Sequence, residues 1–366
     1  MRFIHIADLH LGKRFKEYSF LEDQKAVLGQ IASAVEKHRP DAVFIAGDVY
    51  DRAVPPPEAV TMFDEFLCSL AGLGTQVFII SGNHDSPERI AFGSALMDLS
   101  GVHLSPVYDG RLKRHTVKDE YGEVDIYMLP FVRPSTVRAL FEGEDIATYT
   151  DSVKACIKAA DIDFENRRNI LLSHQFVTGG SVCDSEMLVG GLENVDGSVY
   201  DGFDYVALGH LHGCQSVKGD DRLHYSGTPL KYSLSEVSHK KSITVGTLGA
   251  DGELELKYEY LQPLRDMRII SGEYENVIKE PSEDYVHVSL TDKQRIIGAG
   301  DMLRVYFPNL LSWNYESLEQ QLDMPIPVLK NHEGRDPEEV FAELFELING
   351  KQMSSEQRST DRKSVV

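Results

Sequence analysis

In the first hundred residues, short apolar runs alternate with segments whose apolar residues recur at helical spacing. Three of these runs have the length and the branched aliphatic content of buried strands: Arg2–Ala7, Asp41–Ala46 and Gln76–Ile80. Between them, Glu22–His38 is predicted to form an amphipathic helix, and a second helix is predicted to begin at Pro57 and to end near Gly72. This alternation predicts a parallel sheet covered by helices.

The pattern changes after about residue 100, where most of the predicted elements are strands. They are Val124–Leu129, Asn169–Leu172, Tyr205–Leu208, Leu223–Ser226, Ser242–Leu248 and Glu253–Leu261. Two packed sheets flanked by helices would accommodate both halves. The sequence therefore predicts an α/β fold in which residues 1–262 form the first domain.

The last hundred residues predict a smaller second domain and a terminal helix. New strands begin the second domain, residues 263–332, at Met267–Ser271 and Tyr285–Leu290. Residues 333–350 contain a helix start at Asp336-Pro337 followed by an apolar stripe. They predict a helix that either packs on its own domain or docks a partner. The polar residues 351–366 are predicted to form a loose tail.

Composition limits how this chain can attract a polyanion. The formal net charge is −21, whereas a protein that binds nucleic acid on its own usually carries a basic face. A phosphate substrate would therefore need bound cations and a local basic rim, or a partner subunit. The four cysteines form no C-x-x-C pair, which predicts neither a zinc knuckle nor a disulfide framework and favours a cytoplasmic setting. Neither a membrane span nor a secretory leader is predicted.

Five predicted strands are each followed by residue types that bind metals. The segments are Asp8-Leu9-His10, Gly47-Asp48, Gly82-Asn83-His84-Asp85, Ser173-His174 and Gly209-His210-Leu211-His212. Open α/β sheets place their ligands at the carboxyl ends of strands, and residues two apart on an extended chain point the same way. Taken singly, each segment is more simply a capping Asp, a surface His or a turn. The ordered set of five predicts a metal site.

The ligand types suggest which ions would bind. Imidazole, carboxylate and amide donors suit manganese, iron or zinc, and the absence of thiolate disfavours a structural zinc site. The candidate ligands are more numerous than one ion needs: Asp8, His10, Asp48, Asn83, His174, His210 and His212. The carboxylate of Asp48, on a central strand, is the candidate bridge between two ions. Because two divalent ions outweigh the charge of Asp8 and Asp48, the site would favour a phosphodiester and an activated water.

In order, these motifs resemble the signature of the calcineurin-like metallophosphoesterases, over about residues 1–260. The resemblance implies a four-layer αββα sandwich with a dinuclear site. By the same resemblance, Asp8, His10, Asp48 and His212 would hold one metal, and Asp48, Asn83, His174 and His210 the other. His84 would remain unligated, as a proton donor or transition-state stabiliser oriented by Asp85.

Three longer stretches resemble the family of SbcD and the Mre-type repair nucleases: HIADLHLGKR, AGDVYDRAVPPPEAV and, at residues 225–236, YSGTPLKYSLSE. This resemblance implies an Mn²⁺- and ATP-dependent 3′→5′ exonuclease on double-stranded DNA, with endonuclease action on single strands and hairpins, in DNA repair, recombination and replication. It also implies a homodimer within a heterotetramer with an SbcC-type coiled-coil ATPase. The second domain would then be a small α/β capping domain that shapes DNA entry, and the terminal helix would bind the ATPase. Some relatives carry a histidine where this chain has Tyr50 and Asp51, so the role of that histidine in controlling exonuclease activity is not transferred.

Two other functions compete with a nuclease. A nucleotide or cyclic-nucleotide phosphodiesterase on the same scaffold needs the metal motifs but not the second domain and terminal helix. A non-catalytic scaffold would have lost ligands, whereas this set is intact, His84 included. Four basic residues next to the motifs are either phosphate contacts or ordinary surface charges: Lys13, Arg14, Arg52 and Arg89.

Overall fold

A computed structural model of the chain describes residues 1–182 and 194–316 together with Ala342, Phe345 and Gln352. The chain divides into two compact units, Met1–Arg268 and Ile269–Val366. The predicted terminal helix and tail lie outside the described residues, apart from those three positions. Within the described ranges, no helix combines the length and the apolar character needed to cross a membrane.

The strands of the described chain are β1 (Arg2–Ile6), β2 (Arg14–Phe15), β3 (Tyr18–Ser19), β4 (Ala42–Ala46), β5 (Gln76–Ile80), β6 (Val102–Leu104), β7 (Lys113–Asp119), β8 (Gly122–Leu129), β9 (Arg168–His174), β10 (Tyr205–Gly209), β11 (Gln215–Val217), β12 (Asp220–Tyr225), β13 (Ser242–Leu248), β14 (Leu254–Tyr260), β15 (Met267–Gly272), β16 (Tyr285–Leu290) and β17 (Leu310–Tyr315). The helices are α1 (Leu21–His38), α2 (Pro57–Gly72), α3 (Pro87–Ile90), α4 (Ser94–Met97), α5 (Pro134–Leu140), α6 (Tyr149–Lys158), α7 (Tyr274–Val277) and α8 (Ala299–Tyr306).

The first unit contains two six-stranded sheets. The first sheet has the order β14-β13-β1-β4-β5-β6, in which β1, β4, β5 and β6 are parallel. The second has the order β11-β12-β10-β9-β8-β7, in which β12, β10, β9 and β8 are parallel. Because parallel neighbours end at the same edge of their sheet, the residues that follow β1, β4 and β5 lie side by side, as do those that follow β9 and β10.

Apolar side chains fill three layers of this unit. Between the sheets, the core contains large residues with no exposed surface, among them Phe3, Phe44, Phe78, Ile126 and Leu172. Helices α1 and α2 bury Ile31 and Phe63 against the first sheet, and α6 buries Val153 against the second. The resulting order is helix, sheet, sheet, helix. This confirms the predicted four-layer αββα sandwich.

The second unit has a small core of its own. Strands β15, β16 and β17 form a three-stranded sheet in that order, and β16 and β17 are parallel. Buried residues of the sheet, such as Val286 and Val288, share a hydrophobic cluster with Leu303 of α8 and with Phe307 beyond it. The unit is therefore a small α/β structure.

The hydrophobic pattern did not predict six of the described strands: β2, β3, β6, β7, β11 and β17. Four of these, β2, β3, β6 and β11, are only two or three residues long, too short to show a periodic pattern. Strand β7 reads KRHTVKD and has no buried residue along its length, because it lies at the edge of the second sheet and pairs only with β8. An edge strand of this kind lacks the run of apolar residues from which buried strands are predicted in a sequence. Strand β17 carries a run of LLSWNY that is buried only at its ends.

Candidate metal centre

The five motif segments meet at one place in the first unit. The Nε2 atom of His174 lies 3.4 Å from an Asp48 carboxylate oxygen and 3.9 Å from an Asp8 carboxylate oxygen. Nε2 of His10 lies 3.8 Å from the same carboxylate oxygen. Asp48 thus lies near two candidate histidine ligands, and its role as a bridge stays a prediction.

The remaining candidate ligands surround these four. The side-chain oxygen of Asn83 lies 3.1 Å from Nε2 of His174 and 3.0 Å from Nδ1 of His210. The ring of His212 lies 5.2 Å from the ring of His10. The structure therefore brings all seven predicted side chains together, with His10 and His212 on one side and Asn83, His174 and His210 on the other. How they are shared between two ions stays a prediction.

The donor set fits divalent cations, and His10 provides the test. This side chain is 1% exposed, and neither of its ring nitrogens has a hydrogen-bond partner among the described residues. Buried polar atoms are nearly always satisfied, because leaving one unpaired costs about 1–3 kcal/mol. A cation held between His10 and Asp48 would bind Nε2, the ring nitrogen that lies 3.8 Å from the Asp48 carboxylate. Both residues, with His84, place ligand atoms within 4.8 Å of one another.

The electrostatics of the metal-free site favour a bound positive charge. Burial, opposed by the charge of His174 and reinforced by that of Asp48, raises the pKa of Asp8 to about 7. Burial alone would lower the pKa of His174, but the carboxylates of Asp48 and Asp8 outweigh it and raise that pKa to about 9. Burial alone would raise the pKa of Asp48, yet the charge of His174 holds it well below its usual range. A pKa of about 9 would leave His174 protonated at neutral pH, and cations that bind its ring would displace this proton.

The backbone of the site adopts an unfavourable conformation where the ligands leave the strands. Asp8, His10, Asp48 and His210 have positive φ angles of 53°, 44°, 48° and 106°. Left-handed conformations at residues other than glycine cost of the order of 1–3 kcal/mol each and persist where the surroundings enforce them. Here the amide of His10 donates to the carbonyl of Asp48, and the amide of His210 donates to the carboxylate of Asp8. These bonds fix the turns that direct the side chains into the site.

Two glycines permit the close approach of these segments. A methyl group on Gly82 would overlap the carboxylate of Asp48, and one on Gly209 would overlap the carbonyl of Ala46 and lie 2.7 Å from Nδ1 of His174. Nδ1 of His174 itself bonds to that carbonyl at 2.7 Å. The glycines in the motifs are thus required by steric exclusion.

His84 lies at the mouth of the site and is exposed. Its amide donates to Asp48 at 2.8 Å, and its Nδ1 lies 3.0 Å from the carbonyl oxygen of Asp51. The ring of His84 is 4.9 Å from that of His10. The ring is therefore held by a backbone carbonyl of the loop after β4.

The carboxylate of Asp85 contacts the backbone rather than the ring of His84. It accepts backbone N–H groups of Val49, Tyr50 and Gly82, at 2.9–3.1 Å. Burial, followed by the charge of Asp48, raises its pKa to about 6. Asp85 therefore fixes the loops after β4 and β5, and orients His84 only through the backbone. Short polar side chains often bind local backbone N–H groups in this way.

Residues in the stretch YSGTPLKYSLSE form hydrogen bonds that support the candidate ligands. The motifs did not predict this supporting layer. Glu236, which has no exposed surface, bonds through Oε1 to Nδ1 of His212 at 3.0 Å. Its other oxygen pairs with buried Lys241 at 2.5 Å. The hydroxyl of Tyr232 donates to the carbonyl of Leu9 at 2.6 Å, between the two ligands Asp8 and His10. Hydrogen bonds of this kind orient metal-binding histidines and raise their basicity.

The basic residues next to the motifs differ in their surroundings. Lys13 pairs with Asp51 at 2.8 Å, and the guanidinium of Arg14 donates to the carbonyl of Glu17. Arg52 is 63% exposed and lies 3.7 Å from Asp51, and Arg89 is exposed. Both roles considered for these four residues, phosphate contact and surface charge, stay predictions.

Comparisons with known proteins agree with this arrangement. Residues 1–214 match the calcineurin-like phosphoesterase family, and residues 263–349 match the SbcD_C family, described as the type 5 capsule protein repressor C-terminal domain. SbcD of the SbcCD nuclease of Staphylococcus epidermidis is 34% identical over 323 residues, which cover 85% of this chain and 84% of that protein.

Two solved structures are also similar to the chain. One is TT1561 of Thermus thermophilus, with 14% identity, a TM-score of 0.40 and coverage of 70% of this chain and 98% of that one. The other is a dimetal phosphatase from Danio rerio, with 12% identity, a TM-score of 0.39 and coverage of 71% and 98%. The fold assignment rests on the family match and on the two packed sheets. The chain belongs to the calcineurin-like phosphoesterases and, within them, to the SbcD family of nuclease subunits, and it is a metal-dependent phosphodiesterase.

Proposed function

We propose that the chain is a two-metal DNA nuclease, that Mn²⁺ is its metal, and that it acts as the nuclease subunit of an SbcCD-type complex. The observation that supports this most directly is the exposed His84 beside a buried set of seven candidate metal ligands, in a chain similar to a nuclease subunit. When bound, two divalent cations supply Lewis-acid stabilisation of the phosphate and lower the pKa of water. Asp8, His10, Asp48 and His212 would hold one ion, and Asp48, Asn83, His174 and His210 the other.

His84 is the proposed proton donor to the departing sugar oxygen. Because a carbonyl oxygen only accepts, the bond from Nδ1 to Asp51 places a hydrogen on Nδ1. Nε2 is therefore the ring atom that would donate a proton or a hydrogen bond to the departing sugar oxygen. A histidine performs this task near neutral pH.

The polarity and the range of substrates follow from the family resemblance. We propose 3′→5′ exonuclease action on double-stranded ends, dependent on ATP hydrolysis by the partner, and endonuclease action on single strands and hairpins, in repair, recombination and replication. The second unit would cap the DNA entry. A partner that supplies part of the DNA grip is consistent with a net charge of −21.

The helical segment after β5 is the proposed contact between two copies of the chain. Three large apolar side chains of this segment are mostly exposed: Phe92 at 84%, Leu96 at 75% and Leu99 at 86%. Clusters of exposed apolar residues are typical of interaction surfaces. We expect Leu99→Glu to lower the measured mass of the assembly by half in light scattering, and an unchanged mass would contradict this contact.

Residues 333–350 are the proposed binding element for an SbcC-type coiled-coil ATPase. We expect a chain that ends after residue 332 to retain its metals but to lose co-purification with the ATPase. Metal analysis and affinity capture measure the two properties. Capture of the ATPase by the shortened chain would contradict the assignment.

The function is tested by incubating the purified protein with end-labelled duplex and hairpin DNA, with and without Mn²⁺, and with and without the ATPase and ATP. We expect Mn²⁺-dependent shortening of duplexes and opening of hairpins. The same protein is assayed on nucleotides and cyclic nucleotides. Cleavage of these small substrates with DNA left intact would overturn the proposal in favour of a nucleotide phosphodiesterase.

A further inference from the structure

We propose that Phe131 and Arg133 form a nucleobase-binding subsite beside the metal centre, in which a base of the bound strand stacks on the Arg133 guanidinium supported by the Phe131 ring. The inference rests on the proposed nuclease function and extends it to how the enzyme would select nucleic acid. Neither residue belongs to a sequence motif of the metal site.

Phe131 lies where the second sheet reaches the metal centre. It follows β8 by two residues, and its amide donates to the carbonyl of Ser81 at 2.9 Å, immediately before the Gly82–Asp85 segment. Its ring is 6.4 Å from the ring of His174, at an interplanar angle of 82°. On another side the ring is 6.2 Å from that of Tyr149. The half-buried ring therefore packs against the candidate ligand His174 and against the start of helix α6.

Arg133 covers the ring of Phe131. Its guanidinium carbon is 5.5 Å from the ring centroid, which is cation–π distance, and the residue is exposed. In the parts of the chain that the structure describes, no carboxylate forms an ion pair with it. By contrast, Arg167 and Arg168 near the other end of the same sheet are both paired with acidic residues. In a chain with a charge of −21, an exposed cation without an acidic partner beside a metal centre is available to a ligand.

The chemistry of this pair matches a nucleotide. The guanidinium is a planar cation that stacks on aromatic faces, and bases of single-stranded nucleic acid stack on aromatic rings and on arginine planes. Stacking is tolerant of sequence because every base has a π-face, and the positive charge favours the neighbouring phosphate. A small phosphodiester without a base would be attracted by the positive charge of Arg133 but would have no base to stack on it. The subsite would thus favour nucleic acid over other phosphate esters.

The test separates base stacking from simple attraction of phosphates. Binding of a fluorescent single-stranded oligonucleotide is compared with binding of an abasic oligonucleotide of equal length, in the presence of Mn²⁺ and on a His84→Ala background that limits cleavage. We expect the His84→Ala protein to bind the normal strand at least about fivefold more tightly than the abasic strand. Phe131→Ala and Arg133→Ala should each reduce this ratio toward one.

Two further variants make the interpretation specific. Arg133→Lys keeps the positive charge but lacks the planar guanidinium on which a base can stack. It should therefore still bind the abasic strand but lose most of the preference for the normal strand. Tyr121→Ala is the matched control. Tyr121 precedes β8 at its opposite end and also lies under a guanidinium, that of Arg168 at 5.9 Å. We expect it to leave the base preference unchanged.

The outcomes distinguish this subsite from the proposed function. An equal loss of affinity for both strands in Arg133→Ala would show a phosphate contact only, and would overturn the subsite. A normal strand that binds no better than the abasic strand would overturn it as well. Failure of the unsubstituted protein to cleave DNA with Mn²⁺ would instead contradict the nuclease function, because the binding comparison does not depend on cleavage.

Discussion

At the scale of single residues, the site combines strained backbone with buried polar groups. Four candidate ligands occupy left-handed conformations, and His10 buries two nitrogens that lack hydrogen bonds. Both features reduce the stability of the folded chain. They are consistent with a site whose geometry is set for bound cations.

Replacement of His84 tests whether this residue acts in catalysis without binding the metals. Because His84 is exposed and is not among the seven candidate ligands, we expect His84→Ala to keep its fold and both metals but to lose hydrolysis by a factor of about 10²–10⁴. Rates with Mn²⁺ and the metal content of the same sample measure this. His38→Ala, which changes a histidine at the end of α1, is the control. A normal rate in His84→Ala would refute the role.

Removal of Glu236 tests the supporting layer. Glu236→Ala leaves buried Lys241 without its carboxylate and His212 without its acceptor. Loss of one partner of a buried pair costs about 3–5 kcal/mol, and loss of such a contact weakens metal binding by about 10–100-fold. Urea unfolding and Mn²⁺ titration measure the two effects. Glu65→Gln, at the exposed pair with Lys25, should cost less than about 1 kcal/mol. Equal effects of the two substitutions would contradict this view.

At the scale of elements, the grouping of metal-binding side chains at the ends of parallel strands could be predicted from the sequence. Aspartate, asparagine or histidine recurs at the end of each strand that carries a motif. Prediction of the seven candidate ligands needed only a strand pattern and the rule that open α/β sheets place ligands at the carboxyl ends of their strands. The contribution of YSGTPLKYSLSE could not be predicted in this way. Glu236 supports His212 from 24 positions away along the chain, and Asp51 holds His84 through a carbonyl that any residue would supply.

A methyl group at Gly209 tests whether β10 must approach β4 so closely. We expect Gly209→Ala to lose metal and to unfold at a lower temperature, because the added carbon would overlap the carbonyl of Ala46 and crowd His174. Metal analysis and thermal unfolding give the measurements. Gly72→Ala is the control, since a methyl group there meets no described atom within 4 Å. Retention of both metals in Gly209→Ala would show that the strands can separate.

At the scale of the whole molecule, the layer between the two sheets contains neutral histidines as well as hydrocarbon. Nδ1 of His5 bonds to the hydroxyl of Tyr205 at 2.8 Å, and Nε2 of His224 bonds to the hydroxyl of Thr244 at 3.0 Å. Burial lowers the pKa of His5 well below its ordinary value and that of His224 to about 4. The sequence alone did not predict this, since both histidines lack a motif.

These histidines predict that the first unit is sensitive to acid. Because the pKa of His224 is lower in the folded chain than the ordinary 6.5, the unfolded chain binds the proton more readily, and stability falls as pH falls from about 6.5 to about 4. At pH 5 the loss from His224 is roughly 2 kcal/mol. Urea unfolding at pH 7 and pH 5, with a chelator, should show a smaller drop for His224→Gln than for the natural chain. Equal drops would count against a buried neutral His224.

The candidate ligands come from both halves of the sandwich. Asp8, His10, Asp48 and Asn83 follow strands of the first sheet, whereas His174 ends a strand of the second sheet and His210 and His212 follow one. An ion bound by residues from both sheets would link the two sheets to each other, in addition to the apolar layer between them. Supply of the metal would then govern not only catalysis but also how long the folded chain survives, because ligands that bind only the folded state suppress its opening. In a cell short of the metal, the metal-free chain would open more often than the metal-bound chain and would be degraded faster.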